Sequence, residues 1–416
     1  MENKKGDMSL KKKSKFHAIP KIISGSDSLK KIPSELAKLG ADSPLVIIDI
    51  NYKRSGAEKK IIKSFRKSNN TAVSIYNEAE NKSCLEEIIR IAGLYRWKSC
   101  DSIIAIGSAS VMNTARGVNI IVSTGNENII QFAGKGKIQN KLKPLLAIPL
   151  PVLRGNETSN IALIDGVKYI SDYLYPDIIA ADPKLSALAP KDTILESALS
   201  ILAVSIDSAL SPKGNPERNT YLFKAINLIC ENIEKMHEKP GNKKIKTALV
   251  EAGAIAGAAC DSSNPGFITS AGLAISEETG LPVGTAAGII MPHAIEYIYE
   301  HHGPHDSGIL LAVAGKKIFD ITPEKQRGEV TAVMIESWIN GIGSRIPKNL
   351  NKIKFPESRI KAVSDNAEKL SGGIFKSREF FTVFTTAMTG KIKTKEKDKM
   401  SFDLNKIINN TFGIEK

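Results

Sequence analysis

The chain is poor in the residues that cross-link, chelate or anchor. Its four cysteines, Cys84, Cys100, Cys230 and Cys260, stand far apart with no CxxC pair. That spacing suggests neither a zinc site nor a disulfide framework, and it fits a reducing cytoplasm. Long apolar runs are missing too. The longest uncharged stretch, 279–295, holds two prolines and three glycines, so it is too short and too interrupted to cross a bilayer. The opening MENKKGDMSLKKKSKFHAIP is basic but has no apolar segment behind it, and no signal peptide or membrane association is expected. Aromatics make up only 6% of the chain, and neither lysine-rich run contains one.

That last absence bears on the charge. The formal balance of +14 is half accounted for by residues 1–15, with six lysines against two acids, and 391–400, with five against two. Charge gathered in a tail and a short polar segment, without aromatic stacking platforms, reads as solvated rather than nucleic-acid-binding. No nucleic-acid partner is expected. Residues 1–15 are set apart as a basic tail.

What is present is an ordinary globular composition, 42% hydrophobic and 25% charged, in 416 residues. That length holds two domains with substantial cores. From residue 16 to about 189, short apolar runs alternate with amphipathic stretches. SPLVIIDI (43–50), TAVSIYN (71–77), SIIAIG (102–107) and PLLAIPL (144–150) read as strands, and CLEEIIRIAGLYR (84–96) as a helix between two of them. Strand and helix in repetition predict a parallel sheet with helices on its faces.

From residue 190 to 416 the strand signals stop. DTILESALSILAVSIDSAL (192–210) places Leu195, Leu199, Leu202, Ile206 and Leu210 at intervals of three and four, a core-facing helical stripe. Further helices are expected over 221–236, 245–260, 285–299 and 327–340, and no internal repeat is visible.

In such a fold, ligands bind at the carboxyl ends of the parallel strands, where helix N-termini present amide hydrogens. The stretch AIGSASVMNTAR (105–116) occupies such a place. The small side chains of Gly107, Ser108, Ala109 and Ser110 would let backbone amides approach a pyrophosphate. A tight strand-to-helix junction needs small residues as well, and both readings stand. Asp49, ending LVIID, is placed to accept hydrogen bonds from an adenosine ribose and to repel a 2′-phosphate, or else to form a turn before Asn51.

These stretches resemble the iron-containing alcohol dehydrogenase family, whose fold is shared with dehydroquinate synthase and glycerol dehydrogenase. The resemblance runs from FHAIPKIISGSDSLKKI to SREFFTVFTTAM. It implies a Rossmann-like α/β domain with a parallel sheet, followed by an all-α domain. AIGSASVMNTAR is similar to the family's GGGSxxDxAK pyrophosphate turn, AIPLPVLRGNETS (147–159) to its IPTTAGTGSE segment, and YPDIIAADPKLSALAP to its link into the helical domain. By this resemblance Asp49, Gly107, Ser108, Ala109, Ser110, Asn113, Gly155 and Lys168 would bind NAD, with Lys168 near the nicotinamide ribose.

The chain departs from the family's pattern where its chemistry is concentrated. Two of three turn glycines are replaced at Ser108 and Ala109, Asn113 stands for the acid, and Arg116 for the lysine. Each added Cβ narrows the approach of a phosphate. Leu150 and Pro151 replace paired threonines, and Leu153, Arg154 and Asn156 replace Gly, Thr and Ser, while Gly155 and Glu157 remain.

The family holds a divalent iron or zinc with one Asp and three His. In its DAxxHxxE helix the chain has Ser200, Val204 and Asp207. Leu273 and Glu277 stand at the next histidine positions if a short gap follows, and Val283 at the last. No iron or zinc is expected, because a serine hydroxyl and apolar side chains cannot replace a carboxylate and imidazoles. His301, His302 and His305 with Asp306 could hold a relocated metal or simply form a polar loop. His293 should pack at the start of a helix.

Without the ion, the Lewis-acid step of the family's chemistry is not available, and a general acid or base is needed instead. Glu277 and Lys168 are the candidate catalytic residues. Three readings remain open: a metal-free NAD-dependent oxidoreductase acting on a small alcohol or aldehyde, a catalytically silent member with a binding, scaffolding or regulatory role, and a different chemistry in the same cleft. The family leads one to expect a homodimer.

Overall fold

The computed structural model describes residues 20–66, 73–80, 82–150, 159–186, 191–211, 216–239, 241–260, 265–303, 308–342 and 346–390. In chain order the first part comprises β1 (Lys21–Ser24), α1 (Ser28–Lys38), β2 (Pro44–Asp49), α2 (Ala57–Phe65), β3 (Ser74–Ala79), α3 (Leu85–Trp97), β4 (Ser102–Gly107), α4 (Ala109–Thr124), β5 (Gly134–Lys135), β6 (Leu145–Pro149), β7 (Ile161–Ile164), β8 (Val167–Ile170), β9 (Ile178–Ala181) and α5 (Pro183–Ser186). Nine helices follow among the described residues. They are α6 (Lys191–Ala209), α7 (Pro216–Glu238), α8 (Lys243–Ala259), α9 (Phe267–Thr279), α10 (Val283–His301), α11 (Gly308–Ile321), α12 (Arg327–Gly341), α13 (Ile360–Leu370) and α14 (Ser377–Thr389). The chain is thus α/β and then helical, the dehydroquinate synthase-like arrangement. The domain boundary expected at 189/190 lies outside the described residues.

The main sheet has six parallel strands in the order β1-β9-β6-β4-β2-β3. Its central strands read as unbroken apolar runs because both faces are covered. Leu45 and Ile47 of β2 and Ile103 and Ala105 of β4 pack towards α3 and α4. Their alternate neighbours Val46, Ile48, Ile104 and Ile106 pack with residues of α1 and α2, such as Ile32, Leu36 and Ile61. From β2 the chain moves outward to β3, and from β4 it moves the other way to β6. The strand order therefore reverses between β2 and β4, which makes their carboxyl ends the switch-point crevice.

Sequence reading placed four strands and missed several elements. β1 and β9 are four residues each, too short to show a period, and they find partners only in each other and in β6. The expected strand 71–77 begins later, at Ser74, and runs on through polar Asn77 and Glu78 to Ala79. As an edge strand β3 needs apolar cover on fewer sides, so hydrophobicity did not mark its end. The hairpin β7–β8 was also missed. Its two-residue turn is Asp165–Gly166 with φ of 48° and 77°, the Asp-Gly signal of a tight hairpin, which was there to be read.

The helical half encloses one large core. α6 runs through its middle with Ile194, Ala198, Leu199, Ile201, Leu202 and Ile206 buried. No described helix is long and apolar enough to cross a membrane.

Candidate active site

The crevice is built from the ends of β2 and β4. Asp49 shares the strand face of Leu45 and Ile47, so its side chain is directed to the α4 side of the sheet. It is 1% exposed. Its Oδ1 accepts the Asn51 N–H at 3.0 Å and its Oδ2 the Ser108 N–H at 3.2 Å. The residue is therefore at once the turn-former before Asn51 and an acceptor for the junction that leads into α4.

Gly107 ends β4 with φ of 146°, and a Cβ there would lie 2.4 Å from the Asp49 Cβ. Glycine is required at this point by both backbone and space. The Gly107 carbonyl accepts from the Leu150 N–H at 2.8 Å, which ties the third strand end, that of β6, into the same corner. Ser108 is extended, with φ −73° and ψ 175°, and precedes the first turn of α4. Its Oγ is buried and has no partner among the described residues. An orphaned hydroxyl beside the amides of a helix N-terminus is a donor set suited to a phosphate oxygen, and the small side chains of Ala109 and Ser110 follow it.

Deeper in α4, Asn113 Oδ1 receives an N–H of Arg116 at 3.5 Å. Arg116 is itself 1% exposed. Gly155, with 151–158, lies outside the described residues. Lys168 stands on the exposed outer face of the β7–β8 hairpin, across from Leu163.

The residues that the resemblance sets at the family's metal positions belong to the helical half. Ser200 is buried in α6, and Val204, four residues on, is half-buried against the helical core. Val283 is the first residue of α10. The next residue, Gly284, is held so close to α6 that a Cβ would lie 1.8 Å from the Glu196 carbonyl oxygen and 2.8 Å from Ser200 Oγ. α10 thus begins directly on the turn that carries Ser200. The Val204 carbonyl accepts from Cys260 Sγ at 3.7 Å.

Asp207 is committed elsewhere. Its Oδ1 and Oδ2 accept the Ile268 and Thr269 N–H groups at 2.9 and 2.7 Å, and Gly266 leaves room for it, since a Cβ there would sit 2.4 Å away. Asp207 therefore caps the N-terminus of α9. Burial pushes its carboxyl up to about 6, a shift moderated by the Thr269 side chain and by those backbone donors. Leu273 is half-buried on α9, and Glu277 is exposed, its Oε2 accepting from Asn366 Nδ2 on α13 at 2.7 Å.

The donor set does not fit a divalent iron or zinc. Ser200 offers one neutral hydroxyl, and Val204, Leu273 and Val283 offer nothing. Among the described residues no three His, Cys, Asp or Glu side chains gather as a metal site. His301 and His302 are engaged in packing and pairing at the end of α10. His301 stacks on Tyr297 and its Nδ1 bonds the Tyr297 carbonyl, while His302 Nε2 bonds Glu379 at 2.8 Å. His305 and Asp306 are outside the described residues. His293 lies inside α10 rather than at a helix start, because the helix continues through Pro292. It is 3% exposed, and burial holds its imidazole down at about 4.

Of the candidates, Asp49, Gly107 and Ser108 come into contact at one crevice, with Ala109, Ser110 and Asn113 following along the same helix. Lys168 stands on the hairpin outside the main sheet, and Glu277 is in the other half of the molecule. Sequence reading gave no role to the helix-capping function of Asp207, or to Gly266 and Gly284, whose contacts exist only between helices distant in sequence.

Comparison with known proteins follows the same division. Residues 20–183 match the family model described as iron-containing alcohol dehydrogenase, and residues 195–380 the C-terminal model of the Fe-containing alcohol dehydrogenase family. An NAD-dependent methanol dehydrogenase from Bacillus methanolicus is 21% identical over 369 residues, 85% of this chain and 92% of its own. A choline dehydrogenase from Bacillus subtilis (strain 168) is 23% identical over 392 residues, 90% and 93%. Among solved structures, an alcohol dehydrogenase from Oenococcus oeni superposes with a TM-score of 0.78 at 20% identity, covering 90% of this chain and 100% of that one. The two family models together span most of the molecule, and the chain belongs to the iron-containing alcohol dehydrogenase family of oxidoreductases.

Proposed function

We propose that the protein binds NAD(H) in the crevice between β2 and β4, and that it works on a small alcohol or aldehyde without iron or zinc. The observation that carries the reading is the Asp49–Gly107–Ser108 corner, where the strand ends, the glycine backbone and a buried hydroxyl without a partner among the described residues converge on the first turn of α4. Asp49, Gly107, Ser108, Ala109, Ser110, Asn113, Gly155 and Lys168 form the proposed cofactor set. Asp49 favours NAD over NADP because its carboxylate would repel a 2′-phosphate.

Bound nicotinamide supplies the hydride acceptor for alcohol oxidation. The chain's own task is then to hold the substrate and take the hydroxyl proton, at Lys168 Nζ or the Glu277 carboxylate. The proposed setting is the cytoplasm, where the four free thiols stay reduced. The proposed division of labour places the cofactor in residues 16–189 and completes the cleft with 190–416, with 1–15 as a tail and a homodimer as the assembly.

A second reading, a catalytically silent member with a binding, scaffolding or regulatory role, is favoured by the apolar side chains of Val204 and Val283 and by the engagement of Glu277 with Asn366. Titrating metal-analysed protein with NADH and NADPH, followed by nicotinamide fluorescence, separates the two. Micromolar NADH binding supports the first reading and justifies screening aldehydes. Absence of binding up to millimolar concentration overturns it in favour of the second.

A further inference from the structure

A single guanidinium joins helix α4 to both feet of the β7–β8 hairpin. Arg116 Nη2 donates to the Ser159 carbonyl at 2.7 Å, just before β7, and its Nε donates to the Leu174 carbonyl at 3.1 Å, in the short helical turn that follows β8. The two feet also bond each other through Ser171 N–H and the Asn160 carbonyl. At the far end, the hairpin tip is held by Asp165, whose N–H donates to the Ser83 carbonyl and whose Oδ2 accepts the Leu85 N–H at the start of α3. Between these points Gly117 brings α4 against the hairpin, since a Cβ there would lie 2.9 Å from Ile164 Cδ1 and 2.5 Å from Ile88 Cδ1.

The hairpin's inner residues, Ala162, Ile164 and Tyr169, pack into the α3–α4 core, and its outer face presents Lys168. Arg116 is six residues along α4 from Ser110, about 9 Å at the helical rise. The helix that starts at the crevice is thus the same rigid rod to which the hairpin is fastened. A lysine ammonium is a compact point charge on a flexible stem, whereas the planar guanidinium fork is preorganised to hold two carbonyls at fixed directions.

We infer that Arg116 is a positioning residue: by clamping both feet of the hairpin to α4, it sets the place of Lys168 relative to the Gly107–Ser110 turn. The inference rests on the proposed NAD site and on the proposed role of Lys168 at its nicotinamide end. Arg116 acts through the hairpin, because its buried guanidinium is engaged by the Ser159 and Leu174 carbonyls.

The test is a double-mutant cycle on the full-length protein, with NADH and AMP as probes. AMP lacks the nicotinamide half, so it reports the turn without Lys168. Arg116→Lys and Arg116→Met are each expected to weaken NADH binding about tenfold, and Lys168→Ala similarly. In the Lys168→Ala background the Arg116 substitutions should have no further effect, because coupled residues are non-additive. AMP affinity should stay at the wild-type value throughout. Arg116→Lys keeps a buried cation and guards against simple misfolding, and the thermal transition of each variant checks it.

Equal weakening of AMP and NADH would make Arg116 a support of the turn alone and overturn the inference. So would additive losses in the cycle, or variants that bind NADH as the wild type does. Wild-type protein that binds AMP but not NADH, or neither, overturns the proposed function together with the inference. The wild-type titration therefore tells the two failures apart.

Discussion

The Asp49 carboxylate accepts the Ser108 N–H at 3.2 Å, and the Asp49 Cβ fills the space that any side chain at Gly107 would need. The acid that the family resemblance assigns to a ribose is therefore also a structural part of the crevice. Asp49→Ala should destabilise the nucleotide-free protein by about 1–3 kcal/mol, because the two hydrogen bonds that its buried carboxylate accepts are lost. Gly107→Ala should cost at least ~1–3 kcal/mol from the positive φ, with the clash in addition. Urea unfolding of the nucleotide-free proteins measures both. An unchanged midpoint for Asp49→Ala would reserve that residue for ligand contact.

On the proposed metal-free reading, Ser200, Val204, Leu273 and Val283, the residues that the resemblance sets at the family's metal positions, hold no divalent ion tightly. Dialysis against a chelator should leave the melting temperature unchanged, and added zinc or ferrous iron should not raise it, since a ligand stabilises only the state that binds it. Stoichiometric metal in the purified protein, with a melting temperature that falls on chelation, would contradict this.

Gly284 marks where α10 meets α6. With the Glu196 carbonyl oxygen 1.8 Å from the position of an added methyl, Gly284→Ala should cost about 3 kcal/mol or more, since both partners are helix backbone and cannot swing aside. The thermal transition measures the loss. A normal melting temperature would mean that the two helices separate easily, in which case the region around Val283 is adaptable.

His293 and Asp207 oppose one another in their response to pH. His293 contributes stability that is complete above its unfolded value near 6.5 and is lost as pH falls towards about 4. The Asp207 contribution is complete below 3.8 and is lost as pH rises through about 6. Over roughly pH 4 to 6 the two slopes offset, each on the order of 3 kcal/mol at most. Asp207→Asn should leave a protein that loses stability steeply on acidification. His293→Gln should leave one that loses stability as pH rises across the same window. Urea midpoints at intervals across this range decide the matter, and parallel curves for wild type and both variants would refute the opposition.

Much of the fold was legible in the residues. The runs ending at Asp49 and Gly107 are apolar at every position because both faces of β2 and β4 are covered, and that signal is strong at any length above five residues. The four-residue strands β1 and β9 have no such signal, and pairing across the sheet creates them. The crevice residues Asp49, Gly107 and Ser108 could be named because strand ends and helix starts are local features. Arg116 and Asp207 could be named only as substitutes in a motif, because their partners Leu174 and Thr269 lie 58 and 62 residues away.

By itself the sequence determined the alternation of buried strands and amphipathic helices and the helical second half, for each of these depends on side-chain chemistry and local period. Tertiary structure alone decided that Asp49 also accepts the Ser108 N–H and that Asp207 caps α9, that Gly266 and Gly284 are contact points between helices, and that Arg116 fastens a hairpin to α4. Those facts depend on which distant backbones come within about 3 Å of one another, the reach of a hydrogen bond, and only the assembled fold brings them there.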